Sequence, residues 1–312
     1  MRLSRSHAAR PTGARSRRGF TLPELMVTIV ILGLLGTAVA DMMLKQQRFY
    51  QRTNEEMLVR RNLRKALAML PTELQGVSTP GGDISAFSTS AITFHSILGS
   101  SLVCAKGSST QIDVPPVNTA RTTTSSWYTL PAVGDTLYAL RNDSSGVDGD
   151  YWSAHRITAV ASSSAYRPTA TYTDATLDAG KLRYRFTVTP ALPDSVVPGS
   201  ALRFVRSARY SLTQATSGNW YINRTEQVGG AWQASVPVAG PFVAPGLNGS
   251  GGMVFAYYDS TGAVTATAAR IARVDVVLRA LGGSSSGTSG LGVSSAGVRD
   301  SMSIGIAIRN RR

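Results

Sequence analysis

At 312 residues the chain is long enough to bury a sizeable core without disulfide staples, and its single cysteine, Cys104, excludes an intrachain disulfide and any all-cysteine metal site. Charged residues make up only 16% of it while Ser, Thr, Gly and Ala are abundant, a profile of a β-rich exported domain rather than a helical cytosolic enzyme. The formal net charge of +14 includes six leader arginines, Arg2, Arg5, Arg10, Arg15, Arg17 and Arg18; the +8 left without them favours anionic lipid or nucleic acid only non-specifically. Cys104 itself reads as a small buried hydrophobe, with an intermolecular bridge or a reactive thiol as the alternatives.

Residues 1–19 are basic and carry no acid. Gly19-Phe20-Thr21-Leu22-Pro23-Glu24 follows, and then an apolar run from Leu25 to Ala40. As a helix, residues 20–40 would be about 31 Å long at about 1.5 Å per residue, which matches a hydrocarbon core of about 30 Å. The basic leader predicts a cytoplasmic N-terminus with the remainder translocated.

An ordinary secretory signal peptide competes with this reading, because Ala38-Val39-Ala40 offers a small-residue cleavage site behind the apolar run. Two features oppose it. Glu24 places a carboxylate at the cytoplasmic edge of the run, where a signal peptide gains nothing from it, and the helical pattern continues past Ala40. No cysteine lies near enough for a lipoprotein signal.

Arg17-Arg18-Gly19-Phe20-Thr21-Leu22-Pro23-Glu24-Leu25-Met26-Val27 resembles the cleavage and methylation motif of type IV prepilins and type II secretion pseudopilins. The resemblance implies that a membrane-embedded aspartyl peptidase cuts between Gly19 and Phe20 and methylates the new amine of Phe20. Glu24 then stands at the fifth mature position, where that family has its glutamate. The chemistry suits these residue types: glycine lets the backbone enter a protease cleft in extended form. A carboxylate in hydrocarbon needs a partner, and the new amine of a neighbouring subunit can be one, setting axial register.

From Asp41 to Leu70 no Gly or Pro occurs, and apolar residues recur at helical spacing: Phe49, Tyr50, Met57, Leu63, Ala66, Leu67 and Leu70. This predicts an amphipathic continuation over 41–75, ending near Pro71, with an apolar face that covers a sheet. Some pilins have a proline near the middle of the helix; Asp41 stands at about that place here.

Residues 76–312 read as a β-rich head. Strands are predicted at 91–97, 136–141, 155–161, 182–189, 202–213, 220–227, 253–259, 271–281 and 302–309. Turn signals at 217–219 and 259–262 fit hairpins, and two flexible loops are expected near 103–126 and 282–297. The head, through Tyr221-Ile222-Asn223-Arg224, Val254-Phe255-Ala256-Tyr257-Tyr258-Asp259 and Ile308-Arg309-Asn310-Arg311, is similar to large minor pilins of the PilW type and to J-type minor pseudopilins. The expected fold is α+β: one long N-terminal helix, half in the membrane and half packed on an antiparallel sheet.

Catalytic chemistry is sparse. His7, His95 and His155 are the only histidines, and His7 leaves with the leader. Gly283-Ser284-Ser285-Ser286-Gly287 matches a nucleophile elbow in form but sits in low-complexity sequence. Asp143, Asp148 and Asp150 are weak calcium candidates whose spacing does not fit an EF-hand loop, so a solvated turn is the expectation. Trp127, Tyr128, Tyr151, Trp152, Trp220, Tyr221 and Trp232 form either a binding platform with nearby arginines or, as expected, sheet core and cross-strand pairs.

The sequence therefore predicts a non-enzymatic subunit without cofactor, a minor pilin that starts or caps a type IV pilus. A type II minor pseudopilin is the alternative within that class, and a DNA-binding or adhesive tip module the alternative outside it. The partners implied by the resemblance are other minor pilins or pseudopilins, the inner-membrane assembly platform and the prepilin peptidase. The implied location is the inner membrane, single-pass, with the head periplasmic. An exported hydrolase lacks its catalytic set.

Overall fold

The computed structural model describes residues 19–117, 125–141, 151–164, 172–174, 176–246, 250–282 and 298–308. The chain divides into two compact units, Met1–Asn54 and Glu55–Arg312. Helix α1, Leu22–Leu74, contributes to both. It runs through Asp41 and includes Pro71 in its last turn, where the missing N–H forfeits one helical hydrogen bond.

Within the first unit every described side chain up to Arg52 is exposed. Leu25 is 53% exposed, Met26 63%, Val27 57% and Leu35 58%, positions on all sides of the helix. Two hydroxyls in this stretch are satisfied inside the helix: Thr28 donates to the Leu25 carbonyl at 2.8 Å and Thr37 to the Leu34 carbonyl at 2.9 Å. Such back-bonding is what an apolar solvent requires of a polar side chain.

In the second unit, Val59, Leu63, Ala66, Leu70 and Leu74 are buried. Their spacing of four, three, four and four residues defines one helix face. The amphipathic expectation holds for Leu63, Ala66, Leu67 and Leu70 but fails for Phe49, Tyr50 and Met57, which are between 63% and 68% exposed. The buried face begins only at Val59, the first helix residue in the core.

Fifteen strands among the described residues form a sheet whose recorded pairings are all antiparallel. They are β1 Ile84–Phe87, β2 Ala91–Leu102, β3 Ala105–Ser108, β4 Gln111–Val114, β5 Ser126–Trp127, β6 Thr136–Arg141, β7 Tyr151–Ser163, β8 Arg183–Thr189, β9 Ala201–Gln214, β10 Trp220–Val228, β11 Ala231–Trp232, β12 Val236–Phe242, β13 Met253–Tyr258, β14 Arg273–Leu281 and β15 Arg299–Ala307. The α+β expectation is thus met, with all nine predicted strands present, one of them, 136–141, with identical bounds. The stretch expected as a loop at 103–126 instead contains the β3–β4 hairpin, which extends the sheet through β8. Of the loop expected at 282–297, residues 283–297 lie outside the described residues.

Strand β9 organises the head. It pairs with β2 over residues 201–211, with β6 over 202–205 and with β10 over 208–214. Two cores result. The first lies between α1 and β1, β2, β9, β10 and β12–β15; Phe94, Tyr210, Phe242 and Phe255 are its largest side chains. The second holds Leu98, Ile112, Leu137, Phe186, Leu202 and Phe204.

Both cores draw on the same face of β9, because Leu202, Phe204, Ala208 and Tyr210 share one parity of the strand. Position 206, of the same parity, is an arginine. Arg206 is 5% exposed, and its register partner on β2, Ser96, is 4% exposed. A polar seam therefore crosses two adjacent strands where the cores meet.

Every charge in this seam has a partner. Arg206 grips Asp135 through two bonds, Nε to Oδ1 at 2.9 Å and Nη2 to Oδ2 at 2.7 Å, and reaches Glu226 at 3.3 Å. Arg224 pairs with Glu226 and donates to Glu73, in the last turn of α1, at 3.0 Å. Tyr210 donates to the same Glu73 carboxylate at 2.9 Å. Hydrogen bonding to Asp135 holds Arg206 above its ordinary value. Burial alone would raise Glu226, but Arg224 and Arg206 outweigh it and hold the carboxyl low. Buried charges survive only with this kind of complete pairing.

Candidate functional site

The candidate site is the entry to α1. Gly19, Phe20 and Thr21 precede the first helical residue, Leu22, and the Thr21 carbonyl accepts the first helical bond from the Leu25 amide at 3.1 Å. Pro23 falls in the first turn, where its missing N–H would have had no helical acceptor. Glu24 lies in that same turn, where a negative side chain is favoured by the helix dipole.

Phe20 is 77% exposed, so the bond before it is sterically open. A Cβ placed on Gly19 would meet nothing within 4 Å. Packing among the described residues does not demand glycine there. Glu24 is exposed and is the only ionisable side chain between Phe20 and Ala40. Behind it, α1 is long and apolar enough to cross a membrane by length and composition.

The three residues singled out by sequence thus sit together within six positions, ahead of an uncovered apolar helix. Residues 1–18 of the expected leader lie outside the described residues, as do Asp143, Asp148 and Asp150 and the Gly283–Gly287 stretch. Cys104 is 1% exposed, as expected for a buried small hydrophobe.

The two remaining histidines have structural surroundings. His155 is 2% exposed, with Nδ1 at 2.9 Å from the Pro190 carbonyl and Nε2 at 2.8 Å from Ser153 Oγ. Burial pushes its pKa down, against a smaller upward pull from the Pro190 carbonyl, so the ring is held neutral. His95 contacts Asp83 at 3.4 Å and the Tyr138 hydroxyl at 3.3 Å. These are two separate environments.

The aromatic residues meet the expectation in part: all but Tyr128 stand opposite a residue of a neighbouring strand, yet they do not fill the core. None of the seven is buried: Tyr128 is 73% exposed, Tyr151 47%, Trp152 45% and Trp232 39%. Trp127 alone among them packs edge-on against core rings, Tyr184 and Phe204. Arg141 lies 4.1 Å above the Tyr151 ring and Arg209 lies 4.5 Å above Trp232. Tyr128, Tyr151, Trp152 and Trp232 face solvent, whereas Trp127, Trp220 and Tyr221 are half-buried.

Residues 14–40 match the family described as the prokaryotic N-terminal methylation motif. Searches of curated proteins and of solved structures find no match to the chain. The motif and the apolar helix behind it support a protein of the type IV pilin or pseudopilin class. They are compatible with inner-membrane anchoring, and imply processing by a prepilin peptidase and assembly with other pilins, a structural rather than enzymatic role.

Proposed function

We propose that this chain is a minor pilin, a structural subunit that helps initiate or cap a type IV pilus after cleavage between Gly19 and Phe20. In this reading residues 1–19 are a leader, 20–40 span the inner membrane with the N-terminus cytoplasmic, 41–75 continue the helix and 76–312 form a periplasmic head. Phe20 becomes the methylated first residue. The size of the head and its similarity to PilW-type and J-type subunits favour a tip position over that of a repeating subunit. Other minor pilins and the inner-membrane assembly platform are its partners.

One observation carries the proposal: Glu24 is the single ionisable group in an exposed apolar run and follows the scissile bond by four residues. A carboxylate at the edge of a hydrocarbon span is costly unless it finds a partner, so it calls for a compensating cation. The amine of Phe20 on a neighbouring subunit supplies one, and the resulting charge-assisted bond fixes how far one helix slides along another.

Glu24→Ala tests this directly. The variant should be cleaved as the parent is, yet be missing from sheared filaments and retained in the membrane fraction. Incorporation at the parental level would remove the register role of Glu24.

A further inference from the structure

The head carries an open groove of about 760 Å³ whose lining includes Trp152, Tyr128, Trp127, Gly99, Ser100 and Arg203. This volume is within the roughly 300–1,000 Å³ typical of small-ligand sites. The groove lies wholly within the second unit and is independent of the entry to α1.

Its architecture starts at Gly99. Strand β5 pairs with β2 at Gly99↔Trp127 and Ser100↔Ser126. A Cβ on Gly99 would stand 2.1 Å from the Ser126 carbonyl oxygen and 2.6 Å from Trp127 Cβ, so only glycine admits β5 this close. Trp127 anchors the strap by packing against Tyr184 and Phe204, at 5.7 and 6.0 Å between ring centroids. Its neighbour Tyr128 is thereby projected outward and held there, with its hydroxyl donating to the Ile97 carbonyl. Trp152, from the other side of the sheet order on β7, supplies the second aromatic surface. Two large, exposed rings, Tyr128 held by its hydroxyl, thus line the groove together with glycine and serine.

The charge of this groove narrows the ligand. Among the described residues that line it, Arg203 is the only charged one. Its Nη2 donates to Asp83 Oδ2 at 2.8 Å, and Asp83 is 1% exposed and held ionised by His95 and Arg203 against the opposing effect of burial. The pair cancels, leaving donors and hydroxyls without net charge. A polyanion needs uncompensated cations along its backbone, and the described lining residues supply none. A neutral ring with one apolar face and a polar rim meets these surfaces: the face lies on an aromatic ring, the rim on serine and arginine donors.

We infer that this groove binds neutral pyranose units of a glycan, with Trp152 and Tyr128 as stacking surfaces and Ser100 and Arg203 as polar contacts. The test uses the full-length chain in lipid nanodiscs, free of sugar-headed detergent, and follows tryptophan emission. The probes are cello-, chito- and malto-oligosaccharides, a polygalacturonate oligomer and a short oligothymidylate. At least one neutral oligosaccharide should bind saturably and with little dependence on salt. Trp152→Ala should weaken that binding roughly tenfold, the scale of one lost aromatic contact, while Trp152→Tyr retains most of it. Tyr128→Ala should act in the same direction as Trp152→Ala. Both side chains are exposed, so an unchanged melting temperature should accompany each variant. The inference is overturned if no neutral oligosaccharide binds, if only the polygalacturonate or the oligothymidylate binds, or if Trp152→Ala binds as the parent does.

Discussion

Residues 22–44 and 59–74 belong to the same helix, yet they solve the hydrophobic problem in opposite ways. In the outer stretch apolar side chains surround the axis, and Met26, Ile29, Leu32 and Leu35 are all more than half exposed. In the inner stretch they are confined to one face, and Leu63, Leu70 and Leu74 are 0% exposed. A helix apolar all round has no side to turn towards water, so it needs a solvent or neighbours of matching character. A one-sided helix needs only its own sheet. The head is folded around its own part of α1, whereas the stem keeps its apolar side chains uncovered, as membrane anchoring would require.

The largest effect that could break this view of a self-sufficient head comes from the seam between its cores. Arg206→Leu would leave Asp135, 1% exposed, buried without its bidentate partner. We expect a loss of about 3–5 kcal/mol in chemical denaturation, because removing one member of a buried pair strands the other. Arg206→Leu combined with Asp135→Leu should recover much of that loss. A double variant no better than the single would show that the seam serves the fold in some way beyond charge pairing.

Next in size is the helix face itself. Leu70→Ala opens a cavity in the first core and should cost about 2–5 kcal/mol, read by the same denaturation. The matched change Leu32→Ala, at a position 67% exposed, should leave head stability unaltered and so sharpen the contrast between the two stretches.

A smaller effect is pH-dependent. His155 has its pKa depressed by burial, so the unfolded chain binds a proton where the folded chain does not. The stability this histidine permits is complete above its unfolded value near 6.5 and falls as pH drops from there towards the folded value. His155→Gln should flatten the stability profile in that window. An unchanged slope in the variant would mean that the ring is not held neutral.

The sequence made the stem and its boundary readable because both rest on local, one-dimensional signals: a basic leader, Gly19, Glu24 and an unbroken apolar run. Strong alternation likewise made β8 and β14 legible. The overlooked strands are those in which local chemistry argues against pairing. In β12, Val236-Pro237-Val238-Ala239-Gly240-Pro241-Phe242, two prolines demote the run, and the structure pairs it irregularly with β10 and to β14 only at Phe242↔Ala280. Strands β3 and β4 are four residues each, too short to show a period. The seam was written in the sequence as a broken alternation, Leu202-Arg203-Phe204-Val205-Arg206-Ser207-Ala208, but one arginine of core parity acquires meaning only when Ser96 is set opposite it. The groove depends on Gly99, Tyr128 and Trp152, which are brought together by non-local pairing and lacked any linear signal beyond the presence of aromatics.

The most direct test of the account is the mass of the N-terminal peptide of the chain recovered from membranes. That peptide should begin at Phe20 and carry one methyl group on its amine. A peptide beginning at Met1, or at Asp41 after cleavage behind Ala40, would contradict it.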